Sequence, residues 1–425
     1  MELMKMNKEQ LLEFKRSTEA EYEDFKAQGL SLDMSRGKPS AEQLELSMDM
    51  INVLDGEVLK AENGFDCRNY GVLDGIPEAK RLLAPMLGVT PDEMIIFGNS
   101  SLNAMYWTIQ VAYTHGVLGE KPWSQCEKVK FLCPVPGYDR HFKVTEFFGV
   151  EMINVPLTPE GPDMDMVEKL VSEDDSIKGI WCVPQYSNPD GISYSDETVK
   201  RFAALKPKAK DFRIFWDNAY CIHHLTDNPG YILNILEEAK KCGNENIVYM
   251  FASTSKITFP GAGVAFMGAS TENIDSLKKM LGVSTIGYDK LNQLRHVKYF
   301  ETFDKLLEHM NKHKEILAPK FRAVIEMLDK EIAPLGIGSY INPNGGYFIS
   351  FNSLPGCAKR IVELCKNGGV VLTGAGATYP YGKDPDDKNI RISPSFPTVE
   401  ELTKAMELFV ICVKLASAEK LLENM

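Results

Sequence analysis

Residues Ile247-Val-Tyr-Met-Phe-Ala-Ser-Thr-Ser-Lys256-Ile-Thr-Phe-Pro-Gly-Ala-Gly-Val-Ala-Phe-Met267 decide how the chain is read. An apolar run from Ile247 to Phe251 gives way to small hydroxyl residues, one lysine and a Pro260-Gly261 turn, and a second apolar run, Gly263 to Met267, follows. Runs that are apolar on both faces and end in turns read as strands of a sheet covered on both sides. Four more precede it: Met94-Ile-Ile-Phe97, Lys130-Phe-Leu-Cys133, Gly179-Ile-Trp-Cys-Val183 and Arg213-Ile-Phe-Trp216. Helix-length segments separate them, so the pattern predicts an α/β region with a buried, mostly parallel sheet.

Working outward, Thr302 to Ile332 is a long charged helical pattern broken only by Pro319, suited to bridging two domains. Beyond it, Gly346-Tyr-Phe-Ile-Ser350, Gly369-Val-Val-Leu372, Asn389-Ile-Arg-Ile392 and a helical stretch from Val399 to Leu415 predict a smaller α+β domain. On the other side, Asn7 to Gln28 mixes Leu11, Leu12, Phe14, Tyr22 and Phe25 with charges, an amphipathic helix that stops at Gly29. The loop Ser35-Arg36-Gly37-Lys38-Pro39-Ser40 then leads into the main body.

The 425 residues allow two to three domains. With 44% hydrophobic and 25% charged residues, the chain has the composition of an ordinary globular protein. A net charge of −12 opposes a nonspecific grip on nucleic acid. The nine cysteines are odd in number, scattered and free of CxxC spacing, which argues against a disulfide framework or zinc site and for a reducing compartment. The N-terminal stretch lacks the apolar core of a secretory signal, and no run approaches the roughly 20 apolar residues of a membrane span. A cytoplasmic protein without membrane or nucleic-acid partners is expected.

Several segments at strand ends carry chemistry. Lys256, flanked by Ser253 and Ser255, could form an imine with an aldehyde whose phosphate meets the serines, although a loop lysine is ordinarily just solvated. Asp217, in Phe215-Trp-Asp-Asn-Ala-Tyr220, could hold a pyridine nitrogen protonated while Tyr220 bonds a ring oxygen; capping the next helix is the plainer role. Asn188, in Asn188-Pro-Asp-Gly191, lies in ordinary turn chemistry yet offers an amide donor. Gly98-Asn-Ser100-Ser101-Leu102 opens a helix as either a phosphate cradle or a simple cap. Tyr138 follows another strand and could stack on a flat heterocycle or merely pack. Arg391, inside an apolar strand, suits either two-pronged capture of a carboxylate or an internal ion pair. His223-His224 lack the further ligands of a metal site, so no metal is expected. Gly261-Ala-Gly263 and Gly374-Ala-Gly376 lack the full dinucleotide fingerprint.

Taken in order, Tyr70, Ser100-Ser101-Leu102, Tyr138, Asn188-Pro189, Asp217 with Tyr220, Ser253 with Lys256, Gly345-Gly-Tyr-Phe348 and Arg391 resemble fold type I aminotransferases, which depend on pyridoxal 5′-phosphate. Arg36-Gly-Lys-Pro-Ser40, Gly98-Asn-Ser-Ser-Leu102 and Ser255-Lys-Ile-Thr258 resemble, more narrowly, a divergent bacterial subgroup of aspartate aminotransferases. The resemblance runs from about Ser35 to the C-terminus and implies the PLP-dependent transferase fold type I. It implies an N-terminal helix and arm over 1–50 belonging to the small domain, a cofactor-binding large domain over 51–315 and a small domain over 316–425.

By the same resemblance Lys256 carries the cofactor as a Schiff base, Asp217 pairs with the pyridine nitrogen, and Asn188 and Tyr220 hold the ring oxygen. Tyr138 stacks on the ring, and Ser100, Ser101, Leu102 and Ser253 cradle the phosphate. Tyr70 reaches the phosphate of a neighbouring subunit, which implies a homodimer with shared sites. Arg391 and the Gly37 backbone bind the substrate α-carboxylate. The implied reaction is ping-pong transfer of an α-amino group to a 2-oxo acid, with aspartate and 2-oxoglutarate following from the subgroup. Arg36, Lys38 and Arg140 are candidates for a distal carboxylate. One departure stands out: the family usually carries an arginine in a Pro-Gly-x-Arg context after the lysine, and Pro260-Gly-Ala-Gly263 has none. A lyase or synthase on the same scaffold, or a non-catalytic regulator, are the alternative readings.

Overall fold

The computed structural model describes residues 2–425 and is built around an eight-stranded sheet. Across the sheet the strands run Met94–Ile96, Ala265–Ala269, Val248–Ser253, Arg213–Asp217, Ile177–Cys182, Lys130–Val135, Glu151–Thr158 and Gly161–Pro162. The five from Val248–Ser253 to Glu151–Thr158 are mutually parallel. Ala265–Ala269 runs antiparallel to both of its neighbours, and Gly161–Pro162 is antiparallel to Glu151–Thr158.

Every residue of Arg213–Asp217 and of Val248–Ser253 is buried, as expected of strands with helices on both faces. One apolar cluster, including Leu132, Ile180, Trp216 and Met250, covers one face, and another, including Phe131, Trp181, Phe215 and Phe251, covers the other. Period-two alternation along each strand sends consecutive residues into opposite layers. Parallel strands put their C-terminal ends on one edge, where ligands of such sheets gather. Here those ends deliver Val135, Cys182, Asp217 and Ser253.

A separate core is shared by the two ends of the chain. Leu3, Leu11, Tyr22, Phe25 and Met34 join residues from Phe321 to Ala418 in one cluster. The N-terminal helix Lys8–Lys26, begun by an Asn7–Gln10 capping box, lays its apolar stripe on this core. Its Tyr22 hydroxyl donates to the Leu364 carbonyl at 2.9 Å. The short strand Leu32–Asp33 pairs in parallel with Val370–Val371, and Gly338–Tyr340, Ile349–Ser353 and Asn389–Ile392 form an antiparallel three-stranded sheet. The helix Phe303–Glu331 runs from one core to the other, with Leu306 and Met310 in the first and Phe321 to Leu328 in the second. Pro319 lies inside it without ending it.

Candidate active site

Four turns leaving parallel strands and the start of one helix build a single cavity of about 200 Å3. Its walls are Ser100, Ser101, Leu102, Tyr138, Asn188, Asp217, Tyr220, Ser253 and Lys256, together with Met105, Val183, Ala219 and Ser255. Nine residues singled out in the sequence are therefore gathered in one place, although Ser100 and Lys256 are 156 positions apart. The tenth, Tyr70, does not line it; its side chain is 80% exposed on the surface of the protomer.

Asp217 ends its strand on the cavity side and is buried. His141 Nε2 lies 2.9 Å from Asp217 Oδ2, and the acceptor-only carboxylate makes that nitrogen the donor. The imidazole is fixed in turn by stacking on Trp181, at 4.2 Å between centroids and 6° between planes. Asp217 Oδ1 is buried and has no hydrogen-bond partner among the described residues. A buried carboxylate oxygen left open costs free energy unless a donor meets it, so the position suits the protonated nitrogen of a ring lying in the cavity. Neither His141 nor Trp181 was singled out in the sequence. The only available signal was a histidine one helical turn beyond Tyr138 on Asp139–Phe147, which points it toward the same side.

The Lys256 amine lies 5.0 Å from the centre of the Tyr220 ring and 5.8 Å from that of Tyr347. Loss of water around the amine lowers its pKa from the usual 10.5, against the raising pull of Asp217. Lys256 is half-buried as a residue, and its amine is closely surrounded by protein. Burial also holds the Tyr220 phenol protonated and pushes Tyr138 up to about 12, so both hydroxyls are donors at neutral pH. Ser253 Oγ donates to Ser255 Oγ at 3.0 Å, which donates to the Asn99 carbonyl at 3.1 Å. These serines face the N-terminus of the helix Ser101–His115, whose free N–H groups favour an anion.

The turn that carries Lys256 is held from behind. His309 Nε2 and His313 Nε2, one turn apart on Phe303–Glu331, each lie 2.9 Å from the Ile257 carbonyl. His296 Nε2 lies 3.0 Å from Thr254 Oγ1 and 3.1 Å from Thr258 Oγ1. Gln43 Nε2, from the N-terminal arm, reaches His313 Nδ1 at 3.0 Å and donates to the Tyr347 hydroxyl at 2.8 Å. His223 sits next to this group, buried and with no hydrogen-bond partner on either ring nitrogen among the described residues, whereas His224 Nδ1 meets the Tyr186 hydroxyl at 2.7 Å. These histidines were not connected with the lysine at the sequence level, because their meeting depends on tertiary packing.

A second cavity, of about 330 Å3, shares Tyr138, Asn188, Tyr220 and Lys256 with the first and adds Arg36, Gly37, Arg140, Phe348, Thr373 and Arg391. Arg391 crosses 4.8 Å above the Phe348 ring. It donates to Asp139 Oδ1 at 2.9 Å, Asn188 Oδ1 at 3.3 Å and Thr373 Oγ1 at 3.3 Å, and its buried Nε has no partner among the described residues. The sequence had left open an internal ion pair or a carboxylate site; an ion pair with Asp139 is present, and a donor is still free. A Cβ at Gly37 would collide with the Phe348 ring, so only glycine lets the arm pass here. Lys38 instead lies 3.9 Å over the Phe396 ring and does not line this cavity.

The family model for aspartate aminotransferases matches residues 6–425. The chain belongs to this family. An aspartate aminotransferase of Corynebacterium glutamicum is 44% identical over 407 residues, covering 96% of this chain and 94% of that one. The crystal structure of an aspartate transaminase from C. glutamicum superposes with a TM-score of 0.96 at 43% identity, over 99% of both chains. LysN, an α-aminoadipate aminotransferase of Thermus thermophilus solved with a phosphopyridoxyl-leucine conjugate, shares the fold alone, at 21% identity and a TM-score of 0.73 over 93% of this chain and 94% of that one. The protein is an aminotransferase with the type I fold, and pyridoxal phosphate is implied by the family. No helix among the described residues is long and apolar enough to cross a membrane.

Proposed function

We propose that this aminotransferase binds pyridoxal 5′-phosphate through Lys256 and moves the α-amino group of aspartate to 2-oxoglutarate in two half-reactions at one site. The observation that carries the cofactor assignment is the open, buried Oδ1 of Asp217 in the same cavity as an enclosed lysine amine. When bound, pyridoxal phosphate supplies an electron-poor ring that accepts the electron pair left at the substrate Cα.

Asp217, steadied by His141, holds a proton at the pyridine nitrogen. Tyr220 and the Asn188 amide donate to the ring oxygen, and Tyr138 lies against the ring. Ser100, Ser101, Leu102 and Ser253 surround the phosphate, and Tyr70 of the partner subunit completes that shell in a homodimer. Arg391, with the Gly37 backbone, binds the substrate α-carboxylate and so aims the Cα–H bond. Lys256 Nζ, whose pKa burial lowers, would be the base that takes and holds the proton of the substrate Cα–H bond. Lys256, Asp217 and Tyr220 are thus the catalytic set.

Preference for a dicarboxylate is supported by Arg36 and Arg140, which line the same cavity as Arg391. A second carboxylate placed there meets a second cation. The test is a single-turnover reaction with aspartate, monitoring the visible band of the lysine-bound cofactor and the 2-oxo acid released. Loss of the band with one equivalent of 2-oxo acid is expected, followed by recovery on adding 2-oxoglutarate. Release of ammonia, or of a product with a broken carbon skeleton, would make the protein a lyase instead. A band that aspartate leaves unchanged would remove the proposed substrate.

A further inference from the structure

Next to the serine cradle lies a third cavity, of about 320 Å3, whose wall includes Asn99, Gly263, Asp289, Asn292, Gln293 and Arg295. Three polar atoms at this one place are buried with no partner among the described residues: Asn292 Oδ1, Gln293 Nε2 and Arg295 Nε. Asn292 and Gln293 are more than nine-tenths buried. Arg295 forms no ion pair with any described carboxylate, whereas several surface arginines do. Asp289 shares the cavity wall, but its Oδ1 accepts from the Asn292 N–H at 2.9 Å and it forms no ion pair with Arg295, which leaves the guanidinium open to an anionic ligand.

The location says which anion. The cavity wall contains Gly261-Ala-Gly263, the turn that lacks the arginine expected after the lysine. A Cβ on Gly263 would lie 3.2 Å from the Ser255 amide nitrogen and 3.1 Å from Thr254 Oγ1, tighter than side chains normally tolerate. The turn is drawn in this far by the helix Lys290–Phe300, whose Asn292 Nδ2 donates to the Ala262 and Gly263 carbonyls, both at 2.9 Å. Arg295 is three residues further on, on the same face of that helix. The residue that grips the turn therefore brings an arginine to the same cavity. Asn99 joins this cavity to the serines, since it directly precedes Ser100 and its carbonyl accepts from Ser255.

We propose that Arg295 is the cation that neutralises the cofactor phosphate in this chain, replacing the arginine that is absent from the tight Gly263 turn. The inference rests on the proposed binding of pyridoxal phosphate, and its test separates the two. Cofactor-free wild type, Arg295→Ala and Arg295→Lys would be titrated with pyridoxal phosphate and, separately, with pyridoxal, reading the imine absorbance rather than turnover. One charge-assisted contact amounts to roughly a 10- to 100-fold change in affinity. Arg295→Ala should weaken pyridoxal phosphate by about that factor and leave pyridoxal unchanged, with Arg295→Lys recovering part of the loss. If Arg295→Ala binds both compounds like wild type, or loses both equally, the inference is overturned while the cofactor assignment stands. If wild type itself fails to bind pyridoxal phosphate, the cofactor assignment falls first, and the inference with it.

Discussion

At the scale of single residues, the site depends on the Lys256 amine and on the Asp217 carboxylate that His141 holds. The Lys256 amine is enclosed, and its lowered pKa has a definite consequence for stability. An unfolded chain carries the proton below the usual 10.5, whereas the folded chain resists it, so burial of this amine costs stability at neutral pH. That cost vanishes as pH rises past 10.5, where both states are neutral. In the cofactor-free protein, Lys256→Met should therefore melt higher than wild type at pH 7, with the gap closing toward that value, while losing all transamination. A calorimetric series over pH that showed no gap at pH 7 would mean the amine is solvated. His141 gives a complementary expectation. Removing its bond to Asp217 in His141→Phe should lower kcat/KM about tenfold or more, the worth of a hydrogen bond to a charged group. His141→Gln, whose amide can take the same place, should recover much of that loss in steady-state assays.

At the scale of elements, three histidines on two helices hold the turn behind the lysine. Burial lowers the pKa of His296 and His313 from 6.5 to about 4. The unfolded chain binds protons below 6.5 that these folded side chains refuse, so stability is full above 6.5 and is lost as pH falls toward 4. Each contributes on the order of 3 kcal/mol over that window. Urea midpoints measured between pH 7 and 4 should fall steeply. The pH dependence should be visibly flatter in His296→Gln, which keeps a polar group beside Thr254 and Thr258 but cannot titrate. The elements themselves were legible to different degrees. Arg213–Asp217 and Val248–Ser253 are apolar on both faces, which is what a central parallel strand requires, and they were read within two residues of their ends. Glu151–Thr158 escaped notice because it lies near the sheet edge and alternates between buried and exposed positions, leaving no continuous apolar run. The antiparallel course of Ala265–Ala269 was equally hidden: a strand's composition records its burial, not its direction. In the site, the residues on turns after strands were found because turn chemistry is local. His141, Asp139 and the histidines behind Lys256 act through contacts that only the fold creates.

At the scale of the molecule, the two ends of the chain share one core, the helix Phe303–Glu331 joins it to the sheet, and the site lies among all three. Gln43 of the arm, His313 of the long helix and Tyr347 of the small sheet's approach meet beside the Lys256 turn, so a shift between the cores is felt at the lysine. Tyr70 is the residue this arrangement does not explain within one protomer. It is largely exposed and absent from the cavity wall, an unusual state for a large aromatic side chain. On the proposed homodimer it belongs to the other subunit's site, and symmetry makes that claim testable. Tyr70→Phe and Lys256→Ala, each purified and of low activity, would be mixed under mild denaturant and allowed to reassociate. A mixed dimer then contains one site with both lesions and one with neither, because lysine and tyrosine reach each site from different chains. Random reassociation makes half of the dimers mixed, so activity should recover to about a quarter of wild type, with size-exclusion chromatography verifying the dimer. If Tyr70 served its own protomer's lysine, every site in every dimer would carry exactly one lesion, and mixing would recover nothing.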